Sequence, residues 1–369
     1  MHSDIILVIV VASALAFDFT NGFHDTANVV ATSISTRALS PRLAVLVAAA
    51  LNFAGAFISL SVAATIGKGI VAIGAATGPV IFAALIGAIA WNLVTWYFGL
   101  PSSSSHALIG GLVGAAFVAS GASAVKGAGL LGKVIVPALI APVLAFAVAA
   151  LAILIAYRIV GRLRPGPVNR GFRAGQIASG GLLALAHGTN DAQKTMGIIT
   201  LALVAHGDIA ADPARFFVPD WVVISAASAI ALGTYIGGWR IIRTLGSRII
   251  KMDPAQGFSA QGGGAAVILV SSHFGYPLST THTISGAVMG AGAARRFSAV
   301  RWGVAGNIAA AWVMTLPAAA AIGAAVYGVT RIFGSGALGP LLVAIAIVGG
   351  SAAFFARRIQ RGSVLTTEA

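Results

Sequence analysis

Apolar residues run along this chain in long blocks. Residues 43–66, 133–156, 304–326 and 337–356 are each apolar over a length that exceeds the ~18–20 residues a helix needs to cross a bilayer, and each is too long for a water-soluble core. Reading the whole pattern gives about eleven hydrophobic elements, near 3–36, 43–66, 79–99, 104–120, 131–157, 174–206, 219–238, 264–276, 281–294, 300–327 and 337–356. The first and sixth carry polar residues in mid-run and are expected to be broken helices. Between the fifth and sixth lies YRIVGRLRPGPVNRGFR, whose five arginines and two prolines read as a linker.

The order of elements repeats. FGLPSSSSHALIGGLVG (98–114) aligns without a gap to FGYPLSTTHTISGAVMG (274–290), and NGFHDTANVVAT (21–32) pairs more weakly with HGTNDAQKTMGI (187–198). Both pairs occur in the same order, so the chain reads as a duplication of about five elements, and an odd number of crossings per unit would place the halves in opposite orientations. The expected fold class is therefore an all-α polytopic membrane protein, its hydrophobic elements in two inverted repeats with broken helices and re-entrant-type Ser/Thr motifs. As domains this is a single transmembrane unit over 1–369: first repeat 1–157, basic cytoplasmic linker 158–173, second repeat 174–328, terminal helix and tail 329–369.

Composition narrows the picture. Of the 369 residues 58% are hydrophobic and 9% charged, with a mean hydropathy of +0.95. A soluble domain carries roughly 25% charged residues, so there is too little charge here for a soluble surface. The net charge of +14 does not point to nucleic acid, because Lys and Arg cluster beside the apolar runs without a basic stripe or interleaved aromatics. Most of the 23 basic residues fall on one side if the linker is cytoplasmic, including Arg37, Arg42, Arg240, Arg243, Arg248, Lys251, Arg295, Arg296, Arg301, Arg357, Arg358 and Arg361, while Asp4, Asp208, Asp212 and Asp220 fall on the other. That positive-inside pattern predicts a multi-pass protein of a bacterial cytoplasmic (inner) membrane, N-terminus outside and C-terminus cytoplasmic. No Lys or Arg precedes the first apolar stretch, unlike a cleaved signal peptide. With no cysteine there are no disulfides and no thiol chemistry.

The charges deep within the apolar elements are Asp18, Asp25, Asp191 and Lys194. Each costs at least ~2.5–3.5 kcal/mol at a helix centre, so each calls for a partner, a water-filled cavity or a ligand. Asp25, Asn28 and Thr32 share one helix face, and Asp191, Lys194 and Thr195 share the corresponding one. Gly22 and Gly188, three residues before the aspartates, supply backbone freedom for a break in each helix. Carbonyls freed at such breaks, with carboxylates and Asn oxygens, would make a hard-cation or proton site, and the candidates are Asp25, Asp191, Asn190 and Thr32. Lys194 is open to two readings, an internal pair with Asp191 or a contact to a bound anion.

The tracts Ser102–Ser105 and Ser279–Thr281 each follow a proline-containing turn and precede a Gly-rich apolar helix. Free N–H groups, the positive helix end and several hydroxyls suit a tetrahedral oxyanion, and two such ends from opposed halves can point at one site. One hydroxyl suffices for N-capping; three or four in a row, twice, exceed it. His106 and His282 close the tracts at matched positions, while His24 and His187 flank the aspartate motifs. Their readings are anion contact, proton relay or interhelical hydrogen bond. The histidines lack the spacing of a closed zinc site, so no metal centre and no cofactor are expected.

These segments resemble the inorganic phosphate transporter (PiT) family over nearly the whole chain. The family's duplicated Gly-x-x-Asp signature is matched by GFHDTANVVAT and HGTNDAQKTMGI, and its Phe-Gly-x-Pro-x-Ser-Ser/Thr-Ser/Thr-His signature by 98–106 and 274–282. The resemblance implies an ion-coupled symporter moving phosphate with Na⁺ or H⁺, or a metal–phosphate complex. It carries roles onto Asp25, Asn28, Asp191, Gln193, Lys194, Ser103, Ser104, Ser105, Ser279, Thr280 and Thr281. The short 158–173 connection departs from longer members, which carry a large cytoplasmic insert there. Some relatives look like sulfate carriers. Phosphate can donate a hydrogen bond to a facing carboxylate and sulfate cannot, so Asp25 and Asp191 favour phosphate. An enzyme is not expected, since Ser105–His106 makes no triad by spacing. The expected partners are inorganic phosphate and the lipid bilayer, with a second copy of the chain as a candidate and no nucleic acid.

Overall fold

The structure, a computed structural model, describes residues 4–210 and 216–350. The last part of the 337–356 element, the basic residues Arg357, Arg358 and Arg361, and Asp212 lie outside the described residues. The helices are α1 (Asp4–Ser35), α2 (Pro41–Gly55), α3 (Ser61–Gly69), α4 (Gly78–Phe98), α5 (Ser104–Ser120), α6 (Gly127–Leu130), α7 (Val136–Val160), α8 (Pro165–His206), α9 (Asp220–Ile236), α10 (Trp239–Arg243), α11 (Pro254–His273), α12 (Thr280–Ala293), α13 (Trp302–Ile332) and α14 (Leu338–Gly350). Among the described residues the only strand-like feature is one antiparallel bridge between Val71 and Val125. Four helical runs, α1, α4, 127–160 and α13, are long and apolar enough to cross a membrane, or five if the bent run from α9 through Arg248 is one span. Large apolar side chains such as Leu139, Val143, Leu151, Val313 and Met314 point outward, as befits helices solvated by lipid.

The interior is arranged by exchange between the halves. α1 packs on α9, and α8 packs on α2; α5 packs on α4 and α13, and α12 packs on α11 and α7. Each hydroxyl-tract helix is thus held against the last long helix of the other half. At those seams the backbones touch: a Cβ added at Gly110 or Gly114 would lie 2.5 or 2.0 Å from the carbonyl oxygens of Leu316 and Ala320, and one at the matched Gly286 or Gly290 would lie 2.3 or 2.1 Å from those of Pro142 and Phe146. α5 and α12, 17 and 14 residues long, reach only ~26 and ~21 Å, short of the ~30 Å hydrocarbon core. Their N-terminal residues, Ser103–Ser105 and Ser279–Thr281, are buried in the protein.

Several expectations need correction. α1 and α8 are continuous helices of 32 and 42 residues, not broken at Gly22 and Gly188. Those glycines serve close approach instead: a Cβ at Gly22 would lie 2.2 Å from the Ile230 carbonyl oxygen on α9, and one at Gly188 2.1 Å from that of Asn52 on α2. The breaks lie elsewhere. α9 and the following 239–248 segment meet at a 59° bend, and the 43–66 element is two helices, α2 and α3, while 127–160 continues as one helical run through a π-helical turn at Leu131–Ile135. α8 begins at Pro165, a residue suited to the first helical turn, so helix takes up most of the 158–173 segment. α11 starts ten residues before the apolar run it was read from, on a capping box in which Asp253 and Gln256 exchange hydrogen bonds of 2.8 and 3.0 Å.

Candidate functional site

The two tracts split their hydroxyls between two jobs. Ser103 and Ser279 are the N-caps of α5 and α12, accepting from the N–H groups of His106 (3.1 Å) and His282 (3.2 Å). With capping done by one residue in each tract, Ser104, Ser105, Thr280 and Thr281 are left to face the interior, all buried. Ser104 Oγ donates to Asp25 Oδ2 at 2.8 Å. Thr280 Oγ1 lies 3.4 Å from the same oxygen and 3.5 Å from Asp191 Oδ2, and Thr281 Oγ1 lies 3.4 Å from Asp25 Oδ1. Asn28 Nδ2 donates to Thr281 Oγ1 (2.9 Å) and Thr280 Oγ1 (3.2 Å). Residues far apart in the chain, from α1, α5, α8 and α12, thus converge on one polar centre.

Lys194 ties the centre together. Its Nζ donates to Asp191 Oδ1, to Ser105 Oγ and, at 2.8 Å, to the carbonyl of Leu278 just ahead of the α12 cap. Ser105 Oγ in turn donates to Leu278 O at 3.2 Å. Each carboxylate also has an imidazole. His24 Nδ1 lies 2.6 Å from Asp25 Oδ1 with its Nε2 3.1 Å from Thr95 Oγ1, and His187 Nε2 lies 3.2 Å from Asp191 Oδ2 with its Nδ1 3.1 Å from Asn52 Oδ1. Ligand atoms of Asp25, His187 and Asp191 fall within 4.8 Å of one another. The sequence reading placed Asp25 with Asp191 as a cation site but not His187 with them, because that grouping forms only when α1 is laid against α8.

Other expected site residues do not join the centre. Gln193 turns away: its Oε1 accepts from the backbone N–H groups of Val62 (2.8 Å) and Ala63 (3.2 Å) at the start of α3, and its Nε2 donates to the Thr189 carbonyl. Asn190 Nδ2 ties α8 to Ser272 Oγ (2.8 Å) and Tyr276 O (3.2 Å). Thr32, buried one turn beyond Asn28, has no hydrogen-bond partner for its hydroxyl. His106 and His282 meet each other edge-on with ring centroids 4.8 Å apart, and His282 stacks on Trp312 at 4.2 Å, so they close the seam behind the tracts. Sequence reading missed the supports Thr95 and the Leu278 carbonyl. Asn52, a polar residue in an apolar run, reads from sequence as an interhelical polar contact, and its partners His187 and Thr234 are ones that nothing local names.

Two buried carboxylates against one lysine leave room for a cation, and two helix N-termini lined with hydroxyls suit an anion. A centre with both features, closed inside lipid-solvated helices, fits ion and oxyanion binding side by side. The wider relationships agree. The model of the phosphate transporter family matches residues 21–323. A probable low-affinity inorganic phosphate transporter of Rhizobium meliloti is 53% identical over 323 residues, which cover 87% of this chain and 96% of that protein. The Mycobacterium bovis protein of the same description is 52% identical over 329 residues, covering 89% of this chain and 78% of its own length. A solved structure described as the sodium-dependent phosphate transporter is similar with a TM-score of 0.76 at 26% identity, across 89% of this chain and 99% of that one. This multi-pass, all-helical membrane chain belongs to the phosphate transporter family.

Proposed function

We propose that the protein is a secondary carrier that moves inorganic phosphate across the cytoplasmic membrane together with Na⁺ or H⁺ by alternating access, with its N-terminus outside. The observation that carries this reading is the junction of Ser104, Ser105, Thr280 and Thr281, from the N-terminal ends of two helices, with Asp25, Asp191 and Lys194. A cation held between Asp25 and Asp191 offsets the charge that Lys194 alone does not balance. Phosphate docks against the helix ends, takes the Ser/Thr hydroxyls and the Asn28 amide as donors, and draws Lys194 from Asp191 to itself. The loaded centre then changes the side to which it opens. Phosphate is favoured over sulfate because its O–H can donate to a carboxylate, whereas sulfate would meet Asp25 with no proton between them. The name of the solved relative supports Na⁺ as the first ion to try.

Radiolabelled phosphate uptake into proteoliposomes, under an imposed Na⁺ or H⁺ gradient and with excess unlabelled sulfate, tests the reading. Accumulation that needs one gradient and ignores sulfate is the expected result. Uptake of sulfate in place of phosphate, or flux that ignores both gradients, overturns it.

A further inference from the structure

The two turns that lead into the hydroxyl tracts, residues 97–103 and 273–279, match in sequence and differ in what holds them. Each carries a glycine in the left-handed region, Gly99 at φ 66° and Gly275 at φ 70°, and each rests on a short helix that follows a break. A Cβ built at Gly99 lies 3.5 Å from the Arg240 carbonyl oxygen and 3.6 Å from Thr244 Oγ1, and one at Gly275 lies 3.0 Å from the Ser61 carbonyl oxygen and 3.1 Å from Thr65 Oγ1. Ser61 and Thr65 on α3 thus stand toward the second turn as Arg240 and Thr244 stand toward the first.

The tethers are not shared. In the first turn three alternate carbonyls each accept from a side chain of another element: Tyr97 from Arg240 Nη1, Gly99 from Thr244 Oγ1 at 2.9 Å and Pro101 from Trp312 Nε1 at 3.2 Å. The Arg240 guanidinium also lies over the rings of Trp96 and Tyr97, 5.2 and 4.9 Å from their centroids. The matched carbonyls of the second turn, those of His273, Gly275 and Pro277, accept from no side chain among the described residues. Thr65 turns its hydroxyl back to Ser61 O on its own helix, at 3.4 Å. What ties the second turn is the binding centre itself. The Tyr276 carbonyl accepts from Asn190 Nδ2 at 3.2 Å, and the Leu278 carbonyl accepts from Ser105 Oγ at 3.2 Å and from Lys194 Nζ at 2.8 Å. From elsewhere, Lys133 Nζ stands 4.4 Å from the Tyr276 ring centroid, a contact to the ring and not to the backbone. Parts that move are drawn from the weakly tethered end of a structure, and a ligand shifts a conformation only through contacts that differ between its states. The second turn meets both conditions, because its ties include Lys194 and Ser105, the groups on which phosphate docks in the proposed function.

We propose that the 273–279 turn is the gate of the carrier, set free when phosphate takes up Lys194 and Ser105, and that Thr244 and Arg240 are positioning residues that fasten the 97–103 turn as a fixed wall. This rests on the carrier reading above and names which of two sequence-matched turns moves. The chain has no cysteine, so introduced thiols report alone. Two matched pairs, Gly99→Cys with Thr244→Cys and Gly275→Cys with Thr65→Cys, join each turn to its own support at equal backbone strain. In proteoliposomes under the driving gradient, the oxidised Gly99/Thr244 pair keeps phosphate uptake, whereas the oxidised Gly275/Thr65 pair loses it and regains it on reduction. A second measurement needs neither glycine: Ser102→Cys and Leu278→Cys occupy matched, buried places. N-ethylmaleimide labels Leu278→Cys about tenfold faster than Ser102→Cys, a difference in local opening, and saturating inorganic phosphate changes the rate at Leu278→Cys alone. Adding Thr244→Val raises labelling of Ser102→Cys and leaves that of Leu278→Cys as it was. Uptake that the Gly99/Thr244 cross-link abolishes and reduction restores, uptake that survives the Gly275/Thr65 cross-link, or equal labelling at the two thiols overturns the single gate. A wild-type protein that accumulates no phosphate under either gradient overturns the carrier reading instead, and the labelling comparison still decides which turn opens.

Discussion

Asp25 and Asp191 stand at matched places, three residues after Gly22 and Gly188, yet their surroundings have diverged. Three residues further on, the first half carries Asn28 and the second carries Lys194. Asn28 spends its amide on the tract hydroxyls of α12, and Asp25 is met by hydroxyls and one imidazole with no fixed cation. Lys194 pairs directly with Asp191 and at the same time reaches Ser105 and the Leu278 carbonyl. The histidines have moved as well: His24 precedes its aspartate by one residue, His187 by four. The two matched motifs hold similar carboxylates, yet one lies where no lysine reaches it and the other is paired with Lys194. On the proposed function the first half leans toward the cation and the second toward the anion.

That contrast can be broken experimentally, and the largest effect is expected at Asp191. Asp191→Asn strands a buried lysine, so it should abolish uptake and also cost about 3–5 kcal/mol of stability, seen as a lowered unfolding temperature in detergent. Asp25→Asn should reduce gradient-driven uptake about 100-fold, the scale of a lost charge-assisted contact, yet leave the unfolding temperature close to wild type. Equal thermal losses in both variants would mean the two carboxylates are not different in kind. Lys194→Asn makes the second half resemble the first and should raise the phosphate KM roughly 10- to 100-fold, with a smaller change in cation dependence. Ser104→Ala and Thr281→Ala each remove one neutral hydroxyl and should raise KM about 3- to 10-fold. Gln193→Ala leaves two buried N–H groups of α3 unsatisfied, so it should destabilise by about 1–3 kcal/mol and leave KM within about twofold. A large KM change there would return Gln193 to the binding centre.

Much of this was legible before any coordinates. α4, α5, α9 and α12 lie within a residue or two of the expected 79–99, 104–120, 219–238 and 281–294, because Pro, Gly and Ser mark their ends locally. The pairing of Asp25 and Asp191 with the two tracts was also within reach, since the repeat aligns them. The breaks in α1 and α8 were misread because polar residues and a glycine within an apolar run look alike whether the helix unwinds or simply touches another backbone; only the position of α9 or α2 decides. Gln193 entered through family resemblance, although helix geometry argues against it: two residues from Asp191 is about 200° around the helix, on the face toward α3. The Asn52–His187 contact depends on α2 meeting α8, which no local pattern encodes.

The seams where α5 lies on α13 and α12 on α7 also bear on how the molecule is made. A chain emerging from its N-terminus delivers the first hydroxyl tract long before the helix that clamps it, and domains otherwise tend to form in order of synthesis. Until Leu316 and Ala320 arrive, Gly110 and Gly114 lack the backbone they rest against, and only the α4 flank of α5 is covered. The binding centre also waits for α12 and is therefore complete only late in synthesis, and a chain stopped short of α13 would carry every site residue but with one tract helix bare along a flank.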